Sequence, residues 1–379
     1  MKNDNILKKL KYIFSKTPAY FKNKIVKQYP LFDFNRPVVI FGAAKMGKVF
    51  LELCRKNGIV IVAFCDNDWR KQGTNVGGVP VLDVQMLNEN FSKNAQIIIA
   101  SVQDELIMAQ LKKMYFKKVW SYSFFLTLYP KKFFAFAHTS DFNEKYKNKS
   151  EIFLAFSLLS DMQSKQVFLY ILLYRLTLDK TYIQRIKKKE SKVYFDGSVL
   201  ELTNNEVFLD GGAYDGDTLD SFTRVTNNKF SHVYCFEPDS SSYNDLRVFV
   251  DKSNEKARIT CIKEGLGEKR KTVKFTNEGN LQSAVNETGS TIVNIVPIDD
   301  YLNKKITMIK LDIEGYEKQA LSGAKKVIKK YHPKLAICSY HYQEDLWKIP
   351  LLIRSIDPNY KLYLRHYNSE IFETICYGV

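Results

Sequence analysis

Asp312 and Glu314 stand in "MIKLDIEGYEK", where an apolar run ends in acids and Gly315 frees the backbone to turn. Two residues apart at a strand end, both carboxylates face the same way. His341 ends a second apolar run, "KLAICSYH". Such a trio can take a proton from a hydroxyl, or hold a cation that orients one. Three accounts are open. Asp312 or His341 is a general base, with Glu314 holding the substrate. Alternatively Asp312, Glu314 and His341 ligate a divalent metal that grips vicinal hydroxyls. The bland account makes the acids helix caps and His341 a hydrogen-bonded structural residue. Glu317 falls in the first turn of the next helix, where the dipole favours an acid.

Two glycine-rich turns add binding chemistry. "VVIFGAAKMGK" and "FLDGGAYDGDT" both read G-x-A-x-x-G, with Gly42, Ala44 and Gly47 in one and Gly211, Ala213 and Gly216 in the other. Such a turn lets backbone approach a ligand and aims helix N–H groups at it. The first carries Lys45 and Lys48 and no acid, which suits a phosphate. Asp66 ends the following strand, where an acid meets a ribose hydroxyl. Gly42, Ala44, Lys45, Gly47 and Asp66 therefore form a candidate nucleotide site, against the alternative of an empty Rossmann scaffold. The second turn carries Asp210, Asp215 and Asp217, which would repel a pyrophosphate and favour a cation. Glu237 ends the next strand, placed for both hydroxyls of an adenosine ribose. A ligand cationic at one end and a nucleoside at the other is S-adenosyl-L-methionine. Its candidate site is Asp210, Gly211, Gly212, Ala213, Tyr214, Asp215, Gly216, Asp217 and Thr218, with Glu237, Pro238 and Gly265.

Strands must position these loops. Over 36–129, "PVVIF", "IVIVAFCDND", "AQIIIAS" and "KKVWSY" alternate with helical stretches, which implies a parallel sheet. Residues 130–195 read as a helical connector that covers a domain edge or builds a dimer surface, making the chain a candidate homo-oligomer. Residues 196–379 begin a second series with "EVFLD", "HVYCFEPD", "RITCIKEGLG", "TMIKLDIEG" and "KLAICSYH", closed by an antiparallel pair, "YKLYLRHY" and "FETICYGV". The fold class is α/β: two Rossmann-like domains joined by a helical segment, the C-terminal one seven-stranded. Lesser picks are Ser283 in a polar loop, His366 and Tyr367 near the sheet end, and Tyr340 and Tyr342 flanking His341. Asp299 and Asp300 are expected to start a helix.

Residues 206–379 resemble the FkbM-type family of S-adenosylmethionine-dependent methyltransferases. The matching stretches are "EVFLDGGAYDGDT", "YCFEPD", "VPIDDYL" and, most specifically, "MIKLDIEGYEKQALSGAKKVI". The resemblance implies a class I methyltransferase sheet and O-methylation of a sugar or polyketide-type hydroxyl. Residues 36–120 resemble, less closely, nucleotide-binding Rossmann modules that accompany sugar-modifying enzymes, through "FCDND", "GVPVL" and "IIIAS". Together they point to a sugar or a nucleotide- or lipid-linked glycan as acceptor, in surface polysaccharide biosynthesis. The rivals are a nicotinamide-dependent sugar oxidoreductase using the first loop, and a non-catalytic nucleotide-sugar-binding scaffold.

The bulk composition fits. A chain of 379 residues with 45% hydrophobic content can bury two cores. Six scattered cysteines without a C-x-x-C pair read as reduced thiols in a cytoplasmic protein. The net charge is +16, and residues 1–30 hold eight lysines against one acid, Asp4. Leu7, Leu10 and Phe14 give this leader (1–35) a helical apolar spacing. The expectation is either a solvated lysine face or peripheral contact with the inner membrane surface. No nucleic-acid motif accompanies the charge, so nucleic acid is not an expected partner.

Overall fold

The computed structural model describes residues 3–129, 132–133, 146–188, 193–275, 291–301 and 305–379. Ser283 lies outside them. Contacts group the chain into two units: residues 11–147 with 172–180, and residues 1–10, 148–171 and 181–379. The stretch 130–195 is therefore shared between the units.

In the first unit, where Val38–Phe41 and Gln96–Ile99 are buried throughout, short runs of Val and Ile become the strands of a mostly parallel sheet. They are β1 Val38–Phe41, β2 Ile61–Cys65, β4 Val79–Leu82, β5 Gln96–Ile99 and β6 Lys118–Ser121. With the short β3 Asn75–Val76, the order is β3-β4-β2-β1-β5-β6. The β3–β4 hairpin, antiparallel, is absent from the strands read out of the sequence. Its glycine pair, Gly77 and Gly78, supplies two positive φ angles for the tight turn. Because β1 pairs with β2 on one side and β5 on the other, its C-terminal end is the switch point at which α/β ligands bind.

The second unit is built on β7 Val207–Gly211, β8 His232–Phe236, β9 Ile259–Ile262, β13 Met308–Leu311, β14 Lys334–Cys338, β15 Leu362–His366 and β16 Thr374–Gly378. Their order is β15-β16-β14-β13-β7-β8-β9. The final strand β16 inserts antiparallel between β14 and β15. A small separate sheet, order β10-β12-β11, joins β10 Gly265–Leu266, β11 Lys271–Phe275 and β12 Thr291–Val296. Neither the insertion nor this sheet was legible from strand patterns, since pairing partners leave no local trace.

The open edge of β15 is covered. Ser160 donates its N–H to the Leu362 carbonyl, Leu364 N–H donates to Ser164 Oγ, and Asp161 pairs with Arg365 at 2.7 Å. Unsatisfied edge groups are thereby paired within the chain. In helix Asn3–Ser15 the buried residues are Ile6, Leu10 and Ile13, while Leu7 and Phe14 border that stripe half-buried.

Candidate active site

The two inner strands of the second sheet set the site. Gly211 at the end of β7 pairs with Leu311 at the end of β13, so the loops that follow leave the sheet side by side. Gly212 has φ +77°, and a Cβ there would fall 2.0 Å from the Asp312 carbonyl oxygen. Only glycine fits that approach. Three residues beyond the pair, Tyr214 and Glu314 are non-glycine residues in the left-handed region, at φ +49° and +54°. Strained backbone of this kind persists where the surroundings hold it, and it clusters at functional sites.

Lys310 locks the loops together. Its buried ammonium donates to the Gly212 carbonyl at 2.7 Å and the Gly211 carbonyl at 3.2 Å, and lies 2.9 Å from Asp210. Burial disfavours its charge, yet the carboxylates of Asp210 and Asp312 keep it protonated well above neutral pH. Asp210 is wholly buried, and burial pushes its carboxyl up against the pull of Lys310. This revises the electrostatic argument for the loop. Asp210 spends its charge on Lys310, and the exposed carboxylates are Asp215 and Asp217. Lys310 itself was not singled out from the sequence, because it occupies one position in an otherwise apolar strand.

At the rim, Glu237 directly follows β8, and its carboxylate accepts the N–H groups of Tyr214, at 3.0 Å, and Asp239, at 2.8 Å. Burial raises its carboxyl and those two bonds lower it, with a net rise. A carboxylate has about four acceptor positions, so two remain for hydroxyls. Ala213 and Thr218 are buried, Pro238 is half-buried, and Gly216 adopts φ +98° ahead of helix Asp217–Val225. Gly265 is buried in β10, where a Cβ would fall 2.6 Å from the Ile295 side chain. The cradle without side chains, the exposed acids and the rim carboxylate fit a ligand with a cationic amino-acid end and a ribose.

Beside this cradle the structure brings together Asp312, Glu314 and His341. His341 Nε2 lies 3.4 Å from Asp312 Oδ1 and 3.5 Å from Glu314 Oε2, while Nδ1 lies 3.0 Å from Glu317 Oε1. Glu317 is buried and also accepts the N–H of Ile313 at 2.8 Å. It therefore ties the turn and the imidazole to one carboxylate, a role its sequence position did not reveal. Burial would lower the imidazole, but Glu317, then Asp312 and Glu314, push its pKa up to about 10. Held protonated in this way, an imidazolium donates to these carboxylates and does not accept a proton, which argues against His341 as general base. A geometric cluster of Asp312, Glu317 and His341 with ligand atoms within 4.8 Å does exist. It substitutes Glu317 for the expected Glu314.

Asp312 accepts from two tyrosines: Tyr194 Oη donates to Oδ2 at 2.7 Å and Tyr340 Oη to Oδ1 at 3.1 Å. Burial opposes its charge, but His341 and Lys310 hold the carboxyl below its usual range. Tyr194 was missed from the sequence, because "SKVYFDG" shows no periodicity and precedes the first strand. Side-chain exposure separates the two acids, 46% for Glu314 and 24% for Asp312. Of the other picks, His366 bonds Thr374 between β15 and β16, and Tyr367 donates to Asp196. Tyr342 packs beneath Lys318. Asp299 caps helix Lys325–Tyr331 by accepting from Lys326 and Val327, and Asp300 pairs with Arg270.

In the first unit, Gly42 has φ +110°, and a Cβ there would meet the Ala100 carbonyl oxygen at 2.6 Å; one on Gly47 would meet the Gly42 oxygen at 1.8 Å. Ala44 caps helix Lys45–Lys56, with Lys45 and Lys48 exposed. Asp66 accepts the Ala43 N–H at 2.7 Å and lies 3.3 Å from Lys71 Nζ. The loop-holding carboxylate at the end of the second strand thus recurs in both units.

Residues 210–371 match the family model of the Methyltransferase FkbM domain, and residues 37–102 that of the PglD N-terminal domain. A crystal structure of methyltransferase FkbM from Methylobacillus flagellatus KT superposes with TM-score 0.77 at 23% identity, covering 100% of this chain and 99% of that one. That likeness establishes the fold. Over 67 residues the chain is 39% identical to the redox-sensing transcriptional repressor Rex of Geobacillus kaustophilus (strain HTA426), spanning 17% of this chain and 32% of that protein. Among the described residues no helix is long and apolar enough to cross a membrane.

Proposed function

Starting from a C-terminal half that is an FkbM-type methyltransferase domain, whose family implies S-adenosylmethionine as donor, we propose that the chain methylates a hydroxyl of a sugar. The observation that carries this reading is the adjacency of two built features. The glycine cradle at the end of β7 meets the Asp312–Glu314–His341 cluster at the end of the neighbouring β13. When bound, the cofactor supplies an electrophilic methyl group for in-line displacement.

The chain's own residues do the rest. Gly211 to Thr218, with Glu237, would hold the donor, and Asp215 and Asp217 would favour its positive end. Glu314, the accessible carboxylate, would accept the proton of the acceptor hydroxyl. Asp312, fixed by two tyrosines and an imidazolium, would hold a neighbouring hydroxyl through a remaining lone pair. Positioning of the oxygen supplies much of the acceleration.

The acceptor class is inferred from chemistry. Vicinal hydroxyls suit paired carboxylates, and the PglD-type module with its lysine-bearing loop suits a nucleotide-linked or lipid-linked glycan. The setting would be surface polysaccharide assembly at the cytoplasmic face. Methyl-label transfer to glycan fractions, followed by mass spectrometry, tests the reading. Label on a sugar oxygen supports it. Calorimetry that detects NAD or nucleotide-sugars but no S-adenosylmethionine would replace it with the oxidoreductase or scaffold reading.

A further inference from the structure

Most apolar residues of the leader helices face inward. Ile13 in helix Asn3–Ser15, and Phe21 and Ile25 in helix Pro18–Val26, are buried. What the two helices leave outward is mainly basic and aromatic. Lys11, Lys22, Lys24 and Lys27 are exposed. Tyr12 and Tyr20 are exposed too, and their hydroxyls stand 3.4 Å apart. The Lys16 ammonium sits 4.9 Å from one ring centroid and 5.4 Å from the other. Tyr20, Lys24 and Lys27 follow one another at helical spacing, so they share a stripe. Val26 in helix Pro18–Val26 is also exposed, and Leu31 is 84% exposed. No acid occurs between Asp4 and Asp33.

We propose that this lysine–tyrosine face docks on the surface of an anionic lipid bilayer. Ile13, Phe21 and Ile25 are packed inside the protein and are not offered to lipid. Attraction is instead electrostatic, lysine ammonium to lipid phosphate, within a Debye length of the surface. Tyrosine rings suit the headgroup layer, where one end is apolar and the other wet. A nucleic-acid backbone would reward the lysines equally, but it offers nothing to exposed Val26 and Leu31. The inference stands apart from the methyl-transfer reading and fails or survives independently of it.

Co-sedimentation of the full chain with vesicles tests it. Vesicles of phosphatidylcholine mixed with phosphatidylglycerol should bind the protein, pure phosphatidylcholine should not, and added salt should release it. Reversing Lys16, Lys24 and Lys27 to Glu should weaken binding by more than about a hundredfold at an unchanged melting temperature. The milder pair Lys24→Ala and Lys27→Ala should weaken it by a smaller step. Equal sedimentation with both vesicle types overturns the proposal, as does wild-type binding by either charge variant. Duplex DNA bound as tightly as the anionic vesicles would assign the face to polyanions at large and overturn the lipid assignment.

Discussion

The hydroxyl of Tyr194 stands 2.7 Å from Asp312 Oδ2 across 118 residues of sequence. The residue lies outside the segment that matches the methyltransferase family model, yet it reaches the Asp312 carboxylate. Burial keeps its hydroxyl protonated, so it is a fixed donor. Its ring also lies 5.2 Å from the Lys310 ammonium.

Tyr194→Phe removes a hydrogen bond to a charged group, worth about 1.5–3 kcal/mol. Methyl transfer should slow by about ten- to a hundredfold if that bond positions Asp312 in the transition state. Calorimetry should find cofactor affinity unchanged. The acidic limb of the pH–rate profile should move upward, because Asp312 loses a donor that favours its charged form. An unaltered profile would reduce Tyr194 to packing.

Glu314→Gln preserves shape and removes the base. It should lower kcat by about 10²- to 10⁴-fold with cofactor affinity intact. Asp312→Asn should likewise stop turnover without loss of cofactor. Should Glu314→Gln turn over normally while Asp312→Asn does not, the base is Asp312 and exposure was a poor guide.

Lys310→Met strands the Asp210 carboxylate without its counter-ion in a fully buried position. Breaking a buried pair from one side costs about 3–5 kcal/mol, measurable as a shift in the urea midpoint. Adding Asp210→Asn should recover much of the loss, since the uncompensated charge is then gone. If the double variant is no more stable than Lys310→Met alone, the carbonyl contacts of Lys310 dominate.

His341 has a folded-state pKa raised to about 10 from an ordinary value of 6.5. A raised pKa contributes stability that is fully present below the unfolded value. That contribution is lost as pH rises through the folded one. Stability owed to His341 should therefore be complete below about pH 6.5 and decline toward pH 10. Imidazole nitrogen NMR shifts should show both nitrogens protonated at neutral pH. An inflection near the ordinary value would return His341 to the list of bases.

Much of the second unit was readable from local pattern. Apolar runs ending in acids located β7, β8 and β13, and the glycine spacing located the cradle. Asp312, Glu314 and His341 were nominated from strand-end position, and they meet in space because parallel strands align their C-terminal ends. The β3–β4 hairpin and the small sheet around β12 were not foreseen, since short strands flanked by turns carry little periodic signal.

Residue types and their spacing along single strands and turns, by themselves, determined the fold class and the two glycine loops and nominated Asp312, Glu314 and His341. Periodicity and turn chemistry are local properties. The tertiary structure alone decided which charges are free: it sent Asp210 to Lys310, gave His341 three carboxylate neighbours, and carried Tyr194 onto Asp312. Ionisation and hydrogen bonding depend on burial and on partners distant in sequence, and only folding brings those partners within reach.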